Sequence, residues 1–152
     1  MRLAQRGFTY LAILLAVAIA GAGLAATGVL WSVESQRARE RELLWVGAQY
    51  RNALQSYSRQ GTVGGRLPRS LEDLVRDPRT ADVRRHIRRL YPDPLTGSAE
   101  WGLIRVADGG IIGVYSLSER APIKRAHFPP GFEHFEGAER FADWKFLLDP
   151  RM

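Results

Sequence analysis

Residues 6–15 (RGFTYLAILL, Arg6 to Leu15) decide the fold of this chain. They open an apolar run that continues to Trp31, and no charged side chain occurs between Arg6 and Glu34. As a helix, residues 8–31 would be about 36 Å long, which is enough for a hydrocarbon core of about 30 Å. Because a backbone in lipid must satisfy its own hydrogen bonds, we expect one transmembrane helix here.

The charges that flank this run predict its orientation. Arg2 and Arg6 precede it, and positive residues beside a membrane helix favour the cytoplasmic side. We therefore expect a single pass, with the N-terminus in the cytoplasm and the rest of the chain outside.

The junction Gly7-Phe8-Thr9 resembles the prepilin signal of type IV pilins and type II secretion pseudopilins. That signal is a short basic leader ending in Gly, followed by Phe-Thr and an apolar helix. The resemblance implies a leader over residues 1–7, cleavage by a prepilin peptidase between Gly7 and Phe8, and methylation of the new amine of Phe8. It also implies that the apolar helix stays on the mature protein.

One position departs from that family pattern. The fifth mature residue is usually Glu, and here it is Ala12. Because that Glu is thought to meet the N-terminal amine of a neighbouring subunit, Ala12 fits a minor or tip-like subunit better than a major one.

Two other interpretations of the N-terminus stay open. The apolar run also fits a plain signal anchor. It fits a cleaved secretory signal as well, because Ala20-Gly21-Ala22 is similar to a signal-peptidase site.

Composition places limits on the rest of the chain. The 152 residues suit one small domain and its anchor. There is no Cys, which excludes disulfides and thiol chemistry. The net charge of +6 comes almost entirely from Arg, which allows contact with acidic partners, anionic lipid or nucleic acid.

The helix is expected to continue past the membrane segment to Arg59. After a charged stretch, apolar residues recur at helical spacing and predict one buried stripe: Leu43, Val46, Gly47, Tyr50, Ala53, Leu54 and Tyr57. No Pro interrupts residues 8–59, so we predict one helix of about fifty residues, roughly 75 Å long. Its amphipathic half covers residues 32–59, and Gly61, Gly64 and Gly65 end it.

Residues 60–152 are expected to form a globular domain outside the membrane. A short helix with Ser70 as its N-cap buries Leu71, Leu74 and Val75. A second helix starts at Thr80 or Asp82 and buries Val83, Ile87 and Leu90.

Residues 101–106 and 111–116 read as strands joined by an Asp-Gly hairpin, and residues 117–125 read as extended or looped. The apolar group Phe141, Trp144, Phe146, Leu147 and Leu148 favours a third strand over a short helix. This order of elements predicts an α+β fold, a long helix packed on a small antiparallel sheet.

The C-terminal region resembles, with lower specificity, the general secretion pathway protein G group of pseudopilins. The residues that carry this likeness are DPLTG at 93–97 and GGIIGVYS at 109–116. In that family the long N-terminal helix lies on a small antiparallel sheet, and the subunit builds a short filament.

No constellation of residues indicates catalysis. The chain has no Gly-x-Ser-x-Gly elbow, no phosphate loop with Lys and no His-Glu-x-x-His motif. The histidines His86, His127 and His134 lack metal spacing and read as surface or half-buried residues. Loop carboxylates bind calcium in some pseudopilins, and Asp93, Asp108 and Glu119 are the candidates here, but a calcium loop motif is absent. We expect no metal, no cofactor and no enzymatic activity.

Four arginines are predicted on one face of the second helix. Arg84, Arg85, Arg88 and Arg89 lie at i and i+4 spacing. They suit a solvated face, a docking face for acidic filament neighbours, or phosphate binding. No aromatic residue is interleaved with them to stack bases, which argues against nucleic acid as a partner.

The sequence thus predicts a structural subunit, a pseudopilin or minor pilin of a type II secretion or type IV pilus-like filament. Its expected location is the bacterial inner membrane, with the globular domain in the periplasm. The resemblance implies as partners the prepilin peptidase, an inner-membrane assembly platform with its ATPase, and other pilins. The alternatives are a DNA-contacting minor pilin of an uptake filament and a simple signal-anchored periplasmic protein.

Overall fold

The computed structural model describes residues 4–60 and 67–148, except for the side chains of residues 4–8 and 22–30. The chain divides into two compact units, Met1–Arg37 and Ala38–Met152.

The first unit is helical in its described part. Helix α1 spans Ala4–Arg59, so the predicted continuous helix is confirmed for the backbone. Its described apolar side chains in this unit are exposed, and they include Tyr10, Leu11, Ile13, Leu14, Leu15, Val17, Ile19 and Trp31. Among the described residues, no stretch of helix is long and apolar enough to cross a membrane. Phe8 and residues 22–30 of the predicted transmembrane segment lie outside the described side chains.

The C-terminal part of α1 forms one wall of the core of the second unit. Six residues of the predicted stripe are buried: Leu43, Val46, Tyr50, Ala53, Leu54 and Tyr57. At the seventh, Gly47, a Cβ atom would lie only 2.3 Å from the ring of Phe146. The stripe is therefore confirmed, and Gly47 packs directly against the ring of Phe146. The glycines expected to end the helix, Gly61, Gly64 and Gly65, lie outside the described residues.

The short predicted helix is present, but its cap differs. Helix α2 spans Glu72–Val75 and buries Leu74 completely. Ser70 is not its N-cap; Leu71 is, without a side-chain cap. Instead the Asp73 carboxylate reaches back and accepts the backbone N–H groups of Arg69 and Ser70, at 2.9 and 3.1 Å. These two N–H groups precede the helix, so Asp73 ties the entering chain to the first turn, whereas the N-cap bond predicted for the Ser70 hydroxyl is not made.

The second predicted helix is absent, and residues 79–92 are irregular. Its backbone bonds other segments: the Leu74 carbonyl accepts the N–H groups of His86 and Ile87, and the Arg84 carbonyl accepts that of Asp77. Ile87 is buried as expected, whereas Val83 is exposed. A helix here would place four arginines as two like-charged i, i+4 pairs, which is unfavourable.

The sheet is three-stranded and antiparallel in the order β1-β2-β3. Its strands are β1, Gly102–Arg105; β2, Ile111–Tyr115; and β3, Phe146–Leu147. The predicted hairpin between β1 and β2 is confirmed, with Leu103 opposite Val114. The last apolar group was predicted as one strand, but it divides into a 3₁₀ turn, Phe141–Asp143, followed by β3.

An aromatic cluster fills the core on the side of β3. The rings of Phe135 and Trp144 stack with centroids 5.5 Å apart, and those of Phe128 and Trp144 meet edge to face at 5.3 Å. Aromatic pairs in these geometries stabilise a core beyond the area they bury. The structure is thus α+β: a long helix packed on a small antiparallel sheet, as predicted.

Candidate functional site

The processing site lies at the start of α1. Arg2 lies outside the described residues. The backbone of Arg6, Gly7 and Phe8 belongs to α1, but their side chains are not described. Ala12 is helical and exposed. Cleavage and methylation at Gly7 and Phe8 therefore stay predictions.

Four arginines of the second unit form a surface that we call the basic loop, residues 84–89. Arg84, Arg85, Arg88 and Arg89 are exposed, whereas Ile87 between them is buried. The predicted helical face is wrong, but the arginines are still presented together. His86 and Ile87 point inward, and Arg88 and Arg89, which follow them, point outward. The segment is irregular, and three backbone hydrogen bonds join it to other segments.

An open pocket of about 410 Å³ indents the basic loop. It is lined by Arg85, His86, Ile87 and Arg88. Two guanidinium groups at a concave, polar surface suit carboxylate or phosphate groups, because Arg donates to both in a planar fork.

Aromatic side chains also flank the basic loop, which the order of residues along the chain did not indicate. The Arg89 guanidinium lies 5.1 Å from the centroid of the Tyr91 ring. The Tyr91 ring meets Trp45 of α1 edge to face at 5.3 Å, and Trp45 is half exposed. Although no aromatic residue is interleaved with the arginines in the sequence, the fold therefore places two aromatic side chains beside them.

Behind the basic loop lies a buried polar network that sequence analysis missed. The Asp77 carboxylate accepts hydrogen bonds from Arg79 Nη2 at 2.7 Å and from Arg79 Nε at 2.9 Å. The His86 side chain, which is 1% exposed, lies with Nε2 3.2 Å from Asp77 Oδ2 and with Nδ1 2.9 Å from Ser56 Oγ. His86 was expected to be a surface or half-buried residue; its side chain is instead fully buried and links α1 to the loop.

This network strongly favours the ionised form of the Asp77 carboxyl group. Hydrogen bonds from the Arg79 guanidinium hold the pKa of the Asp77 carboxyl well below its usual range, against the opposing effect of burial. An ionised carboxylate only accepts, so His86 Nε2 carries the proton toward Asp77. With a neutral ring, Nδ1 then accepts the hydroxyl proton of Ser56.

A serine, a histidine and an aspartate in series have the connectivity of a nucleophile, a base and an orienting acid. Here, however, Arg79 occupies both oxygens of Asp77, and Ser56 lies within helix α1. The Arg79 guanidinium also lies 3.5 Å from the centroid of the Tyr57 ring and donates to the Tyr57 carbonyl at 2.9 Å. Each of these contacts ties α1 to the segment that carries the basic loop, so we interpret the network as a structural link.

The carboxylates considered for calcium are not brought together. Asp93 is buried and accepts from the Ser116 hydroxyl at 2.7 Å and from the Leu95 N–H at 2.9 Å. Glu119 pairs with Arg140 at 2.8 Å, and Asp108 accepts the Gly110 N–H within the hairpin turn. Over residues 4–60 and 67–148, no three His, Asp or Glu side chains are grouped so that they could hold a metal ion.

The other two histidines are exposed. His127 has a positive φ of 58°, and its N–H donates to Glu136 Oε1 at 3.2 Å. His134 packs on Phe135 with ring centroids 4.4 Å apart. These positions agree with the interpretation of both as surface residues.

Glu40 is a further buried charged residue that sequence analysis missed. It lies in a stretch of alternating charges that reads as solvent-exposed, yet it is only 2% exposed. Its carboxylate accepts the N–H groups of Ile123 and Lys124, at 2.7 and 3.1 Å. The alternating charges around Glu40 do not indicate that it is buried.

Comparison of the chain with protein-family models, with curated proteins and with solved structures gives no match.

Proposed function

We propose that this chain is a structural filament subunit, a pseudopilin or minor pilin of a type II secretion or type IV pilus-like assembly. A prepilin peptidase cleaves it between Gly7 and Phe8 and methylates Phe8. The helix that follows anchors it in the inner membrane, and the second unit projects into the periplasm. An assembly platform with its ATPase and other pilins are its partners.

One observation carries this proposal. Directly after the Gly7-Phe8-Thr9 junction, α1 exposes a series of large apolar side chains, from Tyr10 at 66% exposed to Ile19 at 65%. A contiguous apolar surface of this kind needs a cover. Lipid before assembly, and neighbouring helices after it, both supply that cover.

The small residues of the same stretch support the filament role over a plain anchor. Ala16, Ala18, Ala20 and Gly21 recur among the larger apolar residues. Small side chains allow helices to approach closely where no hydrophobic force acts between them. A Cβ at Gly21 would meet nothing within 4 Å in a single copy, so this surface is available to a neighbour.

The second unit supports the same role. Helix α1 continues into it without a break and supplies six buried residues to its core. A helix that is apolar on its surface at one end and built into an α+β core at the other suits a subunit that both assembles through the helix and displays a domain.

The first test is the mature N-terminus. Intact mass and terminal sequencing of the membrane-extracted chain should give methylated Phe8 in cells with prepilin peptidase and Met1 in cells without it. A Gly7→Leu variant should keep Met1 in both strains, whereas a Gln5→Leu variant serves as the control and should be processed. A start at Met1 in every strain would support a plain anchor instead, and a start near Gly23 a secreted protein.

A further inference from the structure

We infer that the basic loop of one copy docks onto an acidic segment of a second copy, residues 133–139, in a head-to-tail contact. This inference rests on the proposed filament role and names the contact between its periplasmic domains. It is carried by two surfaces of opposite charge in the second unit, each held in place, which no salt bridge among the described residues joins within one copy.

The basic loop presents its charge on a fixed backbone. The Leu74 carbonyl accepts the N–H groups of His86 and Ile87 at 2.8 and 3.1 Å, and both side chains point inward. Arg84, Arg85 and Arg88 are exposed, and none of the described acidic side chains pairs with their guanidinium groups. A held loop loses less conformational entropy on binding than a free one.

The acidic segment is also held in place. Glu133, Glu136 and Glu139 are exposed, around the 3₁₀ turn Glu133–Phe135 that buries Phe135. Glu133 accepts the Gly131 N–H at 2.8 Å, and Glu136 accepts that of His127 at 3.2 Å. Hydrogen bonds from the backbone N–H groups of Glu133 itself and of Gly131 lower the pKa of the Glu133 carboxyl. This favours its charged form.

Within one copy these two surfaces do not pair. No salt bridge among the described residues joins Arg84, Arg85 or Arg88 to Glu133, Glu136 or Glu139. Two different patches that complement each other on identical chains make a heterologous contact, which propagates from copy to copy. A contact of this type gives a row of subunits, whereas two copies of one patch would give a closed dimer.

The two surfaces are chemically complementary. Arg binds carboxylates through paired N–H donors, and Arg85 and Arg88 both line the open pocket of about 410 Å³. Exposed ion pairs each stabilise a contact only weakly. The contact therefore sets the register and orientation of neighbouring domains, while the apolar helices supply most of the affinity.

The absence of cysteine from this chain allows a direct test by cross-linking. Full-length Arg88→Cys and Glu139→Cys chains, carrying different epitope tags, are expressed together and oxidised in isolated membranes. We expect a cross-linked species that contains both tags. The pair Arg125→Cys and Glu100→Cys, also exposed, is the matched control and should give at most a small fraction of that yield.

Charge reversal tests the same contact without a cross-link. Arg85→Glu with Arg88→Glu, or Glu136→Arg with Glu139→Arg, should each reduce the yield of assembled filament about tenfold, because like charges meet across the contact. Combining all four changes in one chain should restore assembly, since every contact is then inverted on both sides. Reversal of Arg125 and Glu100 should leave the yield unchanged.

The outcomes separate this inference from the proposed function. If filaments form from chains that start at Phe8, but neither the mixed cross-link nor the charge-swap recovery appears, the inference is overturned and the filament role stands. If no chain starts at Phe8 and no filament forms, the filament role fails, and the mixed cross-link would still support a contact between copies. Failure of the cross-link to form when nuclease treatment precedes the oxidation would show bridging by nucleic acid and overturn the inference.

Discussion

Glu40 Oε1 accepts the backbone N–H of Ile123 at 2.7 Å, across 83 positions of sequence. The neighbouring N–H of Lys124 donates to Glu40 Oε2 at 3.1 Å, so both carboxylate oxygens hold the same loop. This buried carboxylate fastens the long loop between β2 and the aromatic cluster to helix α1. It makes a charged residue of α1 part of the core of the second unit.

Removing this carboxylate should destabilise the second unit. Glu40→Ala leaves two N–H donors without an acceptor, and each hydrogen bond to a charged group contributes about 1.5–3 kcal/mol. We expect a loss of about 3 kcal/mol in the free energy of unfolding, measured by urea denaturation with near-UV circular dichroism. Glu42→Ala, which changes an exposed residue of the same helix, is the control and should stay within about 0.5 kcal/mol of the wild type. Equal effects of the two substitutions would contradict the role of Glu40.

The buried Asp77 should make stability depend on pH in the acid range. Because Arg79 lowers the pKa of Asp77 in the folded state, the ionised form stabilises the fold above the unfolded value of about 4. That contribution is lost as pH falls from about 4 toward the folded pKa. In Asp77→Asn the free energy of unfolding should be lower at pH 7, by about 3 kcal/mol, and should fall less steeply below pH 4.

A pH series of urea denaturation curves measures this difference. Asp82→Asn is the matched control, because Asp82 lies close in sequence and is exposed. Its curve should follow that of the wild type at every pH. Parallel wild-type and Asp77→Asn curves between pH 2 and pH 5 would show that Asp77 does not carry the acid dependence.

The fold could be predicted where the physics is local and periodic. The stripe from Leu43 to Tyr57 repeats at helical spacing, and the Asp108-Gly109 turn between two β-rich runs specifies a hairpin. Both are present as predicted. Their causes lie within ten to fifteen residues of chain, so a single sequence shows them.

The remainder depends on contacts between distant segments. His86 is buried because Ser56 and Asp77 meet it from two other elements, and the loop is not helical because its N–H groups find the Leu74 carbonyl. The burial of Glu40 depends on Ile123. The helical spacing of Val83, Ile87 and Leu90 suggested a helix. That spacing does not show that a distant carbonyl group accepts the N–H groups that a helix would use.

Arg79 should not tolerate replacement by Lys. Its guanidinium bonds both oxygens of Asp77, lies over the Tyr57 ring and donates to the Tyr57 carbonyl. An ammonium group has no planar fork and cannot reproduce this set. We expect Arg79→Lys to lower the free energy of unfolding by about 2 kcal/mol, since at least one hydrogen bond to a buried charge is lost.

Thermal melts monitored by tryptophan fluorescence provide the measurement for Arg79. Arg76→Lys is the control: Arg76 is exposed and three residues away, and its replacement should leave the melting temperature unchanged. A melting temperature for Arg79→Lys equal to that of Arg76→Lys would mean that the charge alone, without the fork, suffices at this position.

At the contact between Gly47 and Phe146, helix propensity and packing favour opposite results of a substitution by Ala. Ala is about 1 kcal/mol better than Gly inside a helix. At Gly47, however, the added Cβ would lie 2.3 Å from the Phe146 ring, which is fully buried and packs edge to face against Phe135. Overpacking of this kind costs about 1–3 kcal/mol, so Gly47→Ala should lower the melting temperature of the second unit. Gly21→Ala is the matched control on the same helix, since its Cβ meets nothing within 4 Å and should cause no loss. A stabilised Gly47→Ala protein would show that α1 and β3 do not approach as closely as this.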